Sequence, residues 1–168
     1  MSRIIICDTG PLIHLREANA IHLLKQAGDI LVPPAVAEEF KRNQPNAKFP
    51  DWIQICELTT RSAGQAAKWV RNDEVDPGEA QAIALALQQP CDWLLTDDAE
   101  ARRFAESLGL EVHGSIGLLL WTAASGHIES RTRAHQILDG FRHSSLWISE
   151  RIVTAAAKAI DDLFADED

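Results

Sequence analysis

The chain has 168 residues, 46% of them hydrophobic, and its 25 acidic and 16 basic residues give a formal net charge of −9. This length is typical of one domain, and such a hydrophobic fraction excludes disorder over the body of the chain. Three cysteines are too few for a disulfide scaffold and indicate a reducing cytoplasm. The acidic balance argues against a wide basic surface for nucleic acid or lipid, but it is compatible with a small basic patch. We expect neither a signal peptide nor a membrane span, because no apolar run is long enough for either.

The first part of the chain predicts two strands, each followed by a helix. A continuous apolar run at residues 3–7 predicts a buried strand. An apolar stripe over about residues 11–27 predicts a helix, with Asn19 as a candidate break. Residues 29–32 predict a second strand, and the proline pair at residues 33–34 predicts the start of another helix.

The middle of the chain predicts an edge strand and two further helices. Residues 52–58 alternate between apolar and polar and predict a third strand near an edge of the sheet. Ser62 and Gln65 have the spacing of a capping box, for a helix that ends at about Asn72. The D-P-G-E sequence at residues 76–79 opens the clearest helix, whose alanines allow close packing.

The remainder of the chain continues the alternation and then becomes helical. Residues 92–96 predict a fourth strand, followed by a helix over about residues 98–108. A short strand at residues 111–114 precedes an apolar helix at residues 115–124. From about residue 130 onward, two apolar faces predict two more helices.

Strands that alternate with helices predict an α/β fold, in which a parallel sheet of four to five strands is covered by helices on both faces. We expect a single domain over residues 1–168, with a core at about 3–126 and a helical C-terminal extension at about 130–164. The acidic residues at 161–168 are expected to fray.

Carboxylates follow two of the predicted strands at what should be one edge of the sheet. Asp8 ends the first strand, and Asp97 and Asp98 end the fourth. Further carboxylates lie early in two helices: Glu38, Glu39 and Glu79. Because ligands of parallel sheets bind at the carboxyl ends of the strands, we expect these side chains to converge.

A cluster of this kind, without His or Cys at metal-ligand spacing, selects the hard cations Mg²⁺ or Mn²⁺. Such ions activate water and stabilise a leaving oxygen in phosphodiester cleavage. Each carboxylate also has a structural explanation. Asp76 with Glu79, and Asp97 with Glu100, have the spacing of helix-capping pairs. For any one of these carboxylates taken alone, helix capping is a better explanation than a functional role. The convergence of all of them at one sheet edge favours a functional site.

Five segments, in this order along the chain, resemble the motifs of a prokaryotic branch of the PIN domains. They are DTGPLI at residues 8–13, PPAVAEEF at 33–40, GEAQAIALA at 78–86, LLTDDAEAR at 94–102 and GSIGLL at 114–119. Together they span roughly residues 4–126.

The resemblance implies a three-layer α/β/α fold and a Mg²⁺- or Mn²⁺-dependent ribonuclease, often the toxin half of a toxin–antitoxin pair. It implies that Asp8 and Asp98 hold metal and that Glu79 completes the cluster. Glu39 is implied as a further ligand or as the residue that orients water. Either acid of the pair at residues 97–98 is open as the inward ligand, so Asp97 stays a candidate for catalysis and metal binding.

Two residues are candidates for substrate contacts. Thr9 can donate a hydrogen bond to a metal-bound water or a phosphate, and Arg102 can belong to a rim that holds phosphate. Each also has a purely structural explanation: Thr9 as a turn residue and Arg102 as an ordinary solvated charge. The tryptophans, Trp147 included, are expected in the core or at interfaces rather than as stacking platforms for bases.

The expected partners are an RNA substrate and a cognate antitoxin, whose Arg or Lys side chain would insert among the carboxylates. A homodimer through the apolar C-terminal helices is a further expectation. The alternative is a catalytically inactive PIN-like module that binds RNA or a protein partner. A phosphotransfer protein with Asp8 as nucleophile is disfavoured, because Gly10 stands where the second acid would be.

Overall fold

Five parallel strands form one sheet in the computed structural model, which describes residues 1–167. The strands are β1 (Ile4–Cys7), β2 (Asp29–Val32), β3 (Gln54–Ile55), β4 (Trp93–Leu95) and β5 (Val112–His113). Their spatial order is β3-β2-β1-β4-β5, and every neighbouring pair is parallel. The chain therefore builds the sheet outward from β1 in both directions, which makes the gap between β1 and β4 the topological switch point.

Nine α-helices connect and follow these strands within the described residues. They are α1 (Thr9–Glu17), α2 (His22–Ala27), α3 (Pro34–Asn43), α4 (Thr60–Arg71), α5 (Pro77–Gln88), α6 (Ala99–Ser107), α7 (Ser115–Ala124), α8 (Arg131–Arg142) and α9 (Glu150–Leu163). In one packed group, α5 contacts α3 and α4. In another, α7 contacts α2, α8 and α9. The result is the three-layer α/β/α arrangement that the sequence predicts.

The central strand β1 is buried on both faces. Ile5, Ile6 and Cys7 have no exposed surface, which explains why this strand is a continuous apolar run rather than an alternating one. Cys7 pairs in register with Leu95 of β4, and the Asp8 amide donates to the Leu95 carbonyl at 2.9 Å. The ends of β1 and β4 are thus fixed side by side.

Two predicted elements differ from the observed ones for local reasons. The single helix predicted over about residues 11–27 is two helices, α1 and α2, because Asn19 adopts a left-handed conformation (φ 54°) between them. The edge strand predicted at 52–58 has only the two residues of β3. Its position at the edge of the sheet is confirmed.

Two predicted helix ends also differ. The helix predicted to have Ser62 as its cap begins instead at Thr60, and its cap is Thr59, whose hydroxyl oxygen accepts from the Ser62 amide at 3.1 Å. At the C-terminus, where fraying was expected, α9 continues to Leu163 and a short 3₁₀ helix follows at Ala165–Glu167. Asp168, part of the same expectation, lies outside the described residues.

Within residues 1–167, no helix combines the length and the apolar composition that crossing a bilayer requires.

Candidate active site at the switch point

An open cleft of about 490 Å³ lies at the carboxyl ends of β1 and β4. All five carboxylates that the sequence singles out for catalysis line it: Asp8, Glu39, Glu79, Asp97 and Asp98. They come from four separate segments of the chain and meet where the strand order reverses. The sequence argument for convergence at one sheet edge therefore matches the geometry.

Asp8 lies at the floor of the cleft and caps α1. One carboxylate oxygen accepts from the Thr9 amide at 2.8 Å, and the other accepts from the Thr96 hydroxyl at 3.2 Å. Asp8 is only 6% exposed. Burial, together with the charges of Glu39 and Asp97, raises the pKa of Asp8 to about 6 despite the two hydrogen bonds, which lower it. The pair formed by Cys7 and Leu95 explains the Thr96 contact, because it places residues 8 and 96 side by side.

Glu39 reaches the cleft from α3 and is held by a contact across the site. The Thr9 hydroxyl donates to Glu39 Oε2 at 2.7 Å, and among residues 1–167 no donor bonds to Oε1. Thr9 thus positions an acid here, a role that differs from the substrate contact suggested by its sequence position. Glu38, its neighbour, is exposed and does not line the cleft.

Gly78 makes the position of Glu39 possible. A Cβ atom at Gly78 would lie 2.5 Å from Glu39 Oε1 and 2.6 Å from Oε2, closer than real Cβ contacts. Gly78 is the second residue of α5, so the glutamate carboxylate rests against the N-terminus of that helix. The positive end of the helix dipole stabilises a negative charge there. Position 78 in the GEA motif therefore favours glycine, because the Glu39 carboxylate of the PPAVAEEF motif occupies the space that a side chain would fill.

Glu79 has a structural and a cleft-facing role at once. It forms a capping box with Asp76, whose amide donates to Glu79 Oε2 at 3.0 Å. Burial raises the pKa of Glu79 to about 7, and the charges of Asp8, Asp98 and Asp76 add to that effect. Glu79 therefore caps α5 and lines the cleft with the same side chain.

The two acids after β4 differ in how their oxygens are used. Asp97 Oδ1 accepts from the Ser115 amide, and Oδ2 accepts from the Ser115 hydroxyl, both at 2.6 Å. Oδ2 also contacts His14 Nδ1 at 2.7 Å. Asp98 is more exposed and accepts only from the Ala101 amide, through Oδ1, as the cap of α6. Asp98 is thus the acid with a free oxygen for a ligand, whereas Asp97 ties α1 and α7 to the end of β4.

The remaining predicted contact residue, Arg102, does not line the cleft. A Cβ at Gly114 would lie 2.6 Å from Arg102 Nη2 and 2.9 Å from Asp97 Oδ1, so the guanidinium packs beside that glycine. The cleft is also lined by seven residues outside the predicted site set: Gly10, His14, Asp76, Gly78, Ala99, Leu146 and Trp147. Nothing in the sequence pattern links residues 146–147 to Asp8, because they follow α8, far along the chain.

The cleft is suited to a hard cation by its donor chemistry. Its acidic groups supply oxygen only, no Lys or Arg from the described residues lines it, and two of its carboxyls have raised pKa values. A divalent cation would relieve this repulsion. Within residues 1–167, however, no three His, Cys, Asp or Glu side chains are grouped as a ready-made metal cage. Such an open arrangement fits Mg²⁺, which keeps several waters and takes one or two carboxylates.

Comparison with known proteins agrees with this geometry. A family model described as a PIN domain matches residues 4–162, which includes α8 and most of α9. The chain therefore belongs to the PIN-domain family. PIN domains are generally nucleases and typically use divalent metal ions. A comparison with curated proteins gives no match.

Replacing Gly78 with alanine should displace the Glu39 carboxylate. We expect Gly78→Ala to lower the free energy of unfolding by at most about 0.5–1.5 kcal/mol, because the carboxylate lies at the flexible end of its side chain and can move aside, at the cost of its hydrogen bond from Thr9. Chemical denaturation measures this change. Gly64→Ala in α4 is the matched control, since a Cβ there meets nothing within 4 Å, and it should stabilise by about 0.5–1 kcal/mol.

A double variant tests the cause. If Glu39→Ala is present, Gly78→Ala should no longer cost stability and should move toward the gain expected for Gly64→Ala, because the overlapping atoms are gone. Equal costs in both backgrounds would contradict the contact.

Asp8 should make stability fall as pH rises. Its pKa is raised in the folded chain from 3.8 to about 6, so the folded chain binds this proton more tightly than the unfolded chain. Ionisation therefore costs stability, and the cost grows through that interval. We expect Asp8→Asn to exceed the wild type in free energy of unfolding by up to about 3 kcal/mol above about pH 7, and by little below about pH 4.

Denaturant unfolding in the presence of a chelator measures the difference at each pH. The exposed Asp51, 83% accessible at its side chain, provides a control in Asp51→Asn, which should show no such pH trend. A variant less stable than the wild type at about pH 8 would show that Asp8 serves folding mainly as an ionised cap.

Proposed function

We propose that this PIN-domain protein is a Mg²⁺- or Mn²⁺-dependent endoribonuclease that hydrolyses RNA phosphodiester bonds in the acidic cleft. The observation that carries the proposal is the meeting of five carboxylates from four segments at the switch point of the sheet. Folding stability does not explain why these carboxylates lie together. The raised pKa values of Asp8 and Glu79 mean that ionisation of either group lowers the free energy of unfolding.

The role proposed for each carboxylate follows from its position in the cleft and from the hydrogen bonds that its oxygens already make. Asp8 and Asp98, with Glu79 beside them, are the groups that would hold the metal. When bound, the ion would lower the pKa of a water and neutralise charge on the phosphate. Glu39 keeps Oε1 free while Thr9 holds Oε2, so Oε1 is the atom that would orient the attacking water and accept its proton. Asp97, bonded to His14 and Ser115, supports the walls of the cleft.

Two partners belong to this proposal. Because the cleft is acidic and open, it fits an Arg or Lys side chain of an antitoxin, which would compete with metal for the same carboxylates. A homodimer through the C-terminal helices is supported by Ile152 and Leu163 on α9, which are 46% and 45% exposed. The proposed setting is the cytoplasm, where both RNA and such a partner are present.

One observation favours a second candidate, an inactive module that binds RNA or protein. Both oxygens of Asp97, one of the candidate metal ligands, already accept hydrogen bonds from Ser115, and Oδ2 also contacts His14. The two candidates differ in whether added metal produces cleavage.

The proposal is tested by RNA cleavage with chelator-stripped protein, a panel of structured and unpaired RNAs, and added Mn²⁺ or Mg²⁺. We expect the wild type to cleave only with metal and Asp8→Asn to lose about a hundredfold or more of the rate. Because Asp8→Asn is expected to be at least as stable as the wild type at neutral pH, unfolding does not explain such a loss.

Asp51→Asn should cleave like the wild type, since its side chain is exposed outside the cleft. Equal cleavage by the wild type and Asp8→Asn would mean a contaminating ribonuclease. Absence of metal-dependent cleavage, together with no heat of binding on calorimetric titration with Mn²⁺, would favour the inactive module.

A further inference from the structure

Trp147 is an exposed aromatic side chain at the mouth of the acidic cleft. It is 86% exposed, whereas Trp69 and Trp93 are each 7% exposed. Together with Leu146 it lines the same cleft as Asp8 and Asp98. The sequence predicted that Trp147 lies in the core or at an interface. The core position is wrong, since almost the whole indole is accessible to solvent. An indole in water without a packing partner has a large apolar surface available for a ligand.

The loop that carries Trp147 is anchored to the site. The Ser145 amide donates to Glu17 Oε2 at 3.2 Å, and the Ser145 hydroxyl donates to Oε1 of the same carboxylate. Ser144 adds two bonds, from its hydroxyl to the Phe141 carbonyl at 2.7 Å and from the Leu146 amide to its oxygen at 3.1 Å. Glu17 is the last residue of α1, the helix that Asp8 caps. One rigid helix therefore connects the floor of the cleft to the loop at its mouth.

A second cavity of about 390 Å³ lies on the other side of this loop. Leu146 and Trp147 line both cavities, and Arg142 lines the second one. The indole thus borders an acidic cleft and a cavity that contains a guanidinium. Arg142 is 45% exposed at its side chain and makes an ion pair with Glu150 at 3.1 Å, so it retains donors for an anion.

We propose that Trp147 stacks on an unpaired base of the RNA strand whose phosphate enters the acidic cleft. The inference rests on the proposed nuclease function and assigns to Trp147 the role of holding the strand at the mouth of the cleft. Stacking suits this position, because every base offers a π-face while only an unpaired base is free to leave its neighbours. Arg142 lies where it can contact the phosphate of the nucleotide next to the stacked base.

The test compares binding of an unpaired RNA oligonucleotide and of the matched duplex, with Ca²⁺ in place of Mg²⁺ and recovery of intact probe checked on a gel. We expect Trp147→Ala to weaken binding of the unpaired strand by about tenfold, and Trp147→Phe to stay within about threefold of the wild type. Neither variant should change binding of the duplex. Leu87→Ala is the control, since Leu87 is 47% exposed on α5 outside the cleft and should leave both affinities unchanged.

Several outcomes overturn the inference. Wild-type affinity of Trp147→Ala for the unpaired strand removes the stacking role, as does equal weakening of unpaired and duplex RNA. A change in oligomeric state on sedimentation, with RNA binding intact, would assign Trp147 to a protein interface instead.

Cleavage measured in parallel separates this inference from the proposed function. Metal-dependent cleavage with normal RNA binding by Trp147→Ala would retain the nuclease and overturn the stacking. Tight binding of unpaired RNA that depends on Trp147, without cleavage under any metal, would retain the stacking and overturn the nuclease. A wild type that binds no unpaired RNA overturns the stacking outright.

Discussion

The crowding of carboxylates between the ends of β1 and β4 is the constraint on which the rest of the site depends. Asp8 must follow a strand that is buried on both faces, so its charge lies where water is scarce and other acids are near. Neighbouring residues accommodate the clustered carboxylates through different contacts. Thr9 and Thr96 supply hydrogen bonds, Gly78 leaves room for the carboxylate of Glu39, and His14 and Ser115 take up the oxygens of Asp97.

Helix capping and the candidate chemistry use the same side chains. Asp8 caps α1, Glu79 completes the capping box of α5, and Asp98 caps α6. Each helix begins at the carboxyl end of the sheet, so its N-terminus points its free amides and positive dipole at the cleft. Capping therefore does not compete with a site as an explanation: each cap uses one oxygen, and the second oxygen accepts from Thr96 in Asp8 and is left for the cleft in Glu79 and Asp98. The glycines at 78 and 114 follow the same logic, because each clears space for a carboxylate from another segment.

Much of the fold followed from local pattern, whereas the mouth of the site did not. Continuous apolar runs identified β1, β2 and β4, and the rule that parallel strands place ligands at their carboxyl ends brought Asp8 and Asp98 together before any coordinates. The Asn19 break and the two-residue strand β3 depended on backbone conformation and edge pairing, which periodicity does not encode. Trp147 was missed for a different reason. Its place at the cleft depends on the hydrogen bond between Ser145 and Glu17. These residues are 128 positions apart in the sequence, and no local sequence pattern predicts their contact.

The order in which the cleft residues are synthesised has a consequence for the newly made protein. β1 is made first, yet its partner β4 begins at Trp93, and the loop with Trp147 comes later still in a chain of 168 residues. A nascent chain that ends before β4 lacks the central strand pair, and with it the meeting of Asp8 and Asp98. The acidic cleft is therefore assembled only when most of the chain has left the ribosome, so an unfinished chain lacks the group of carboxylates on which the proposed chemistry depends.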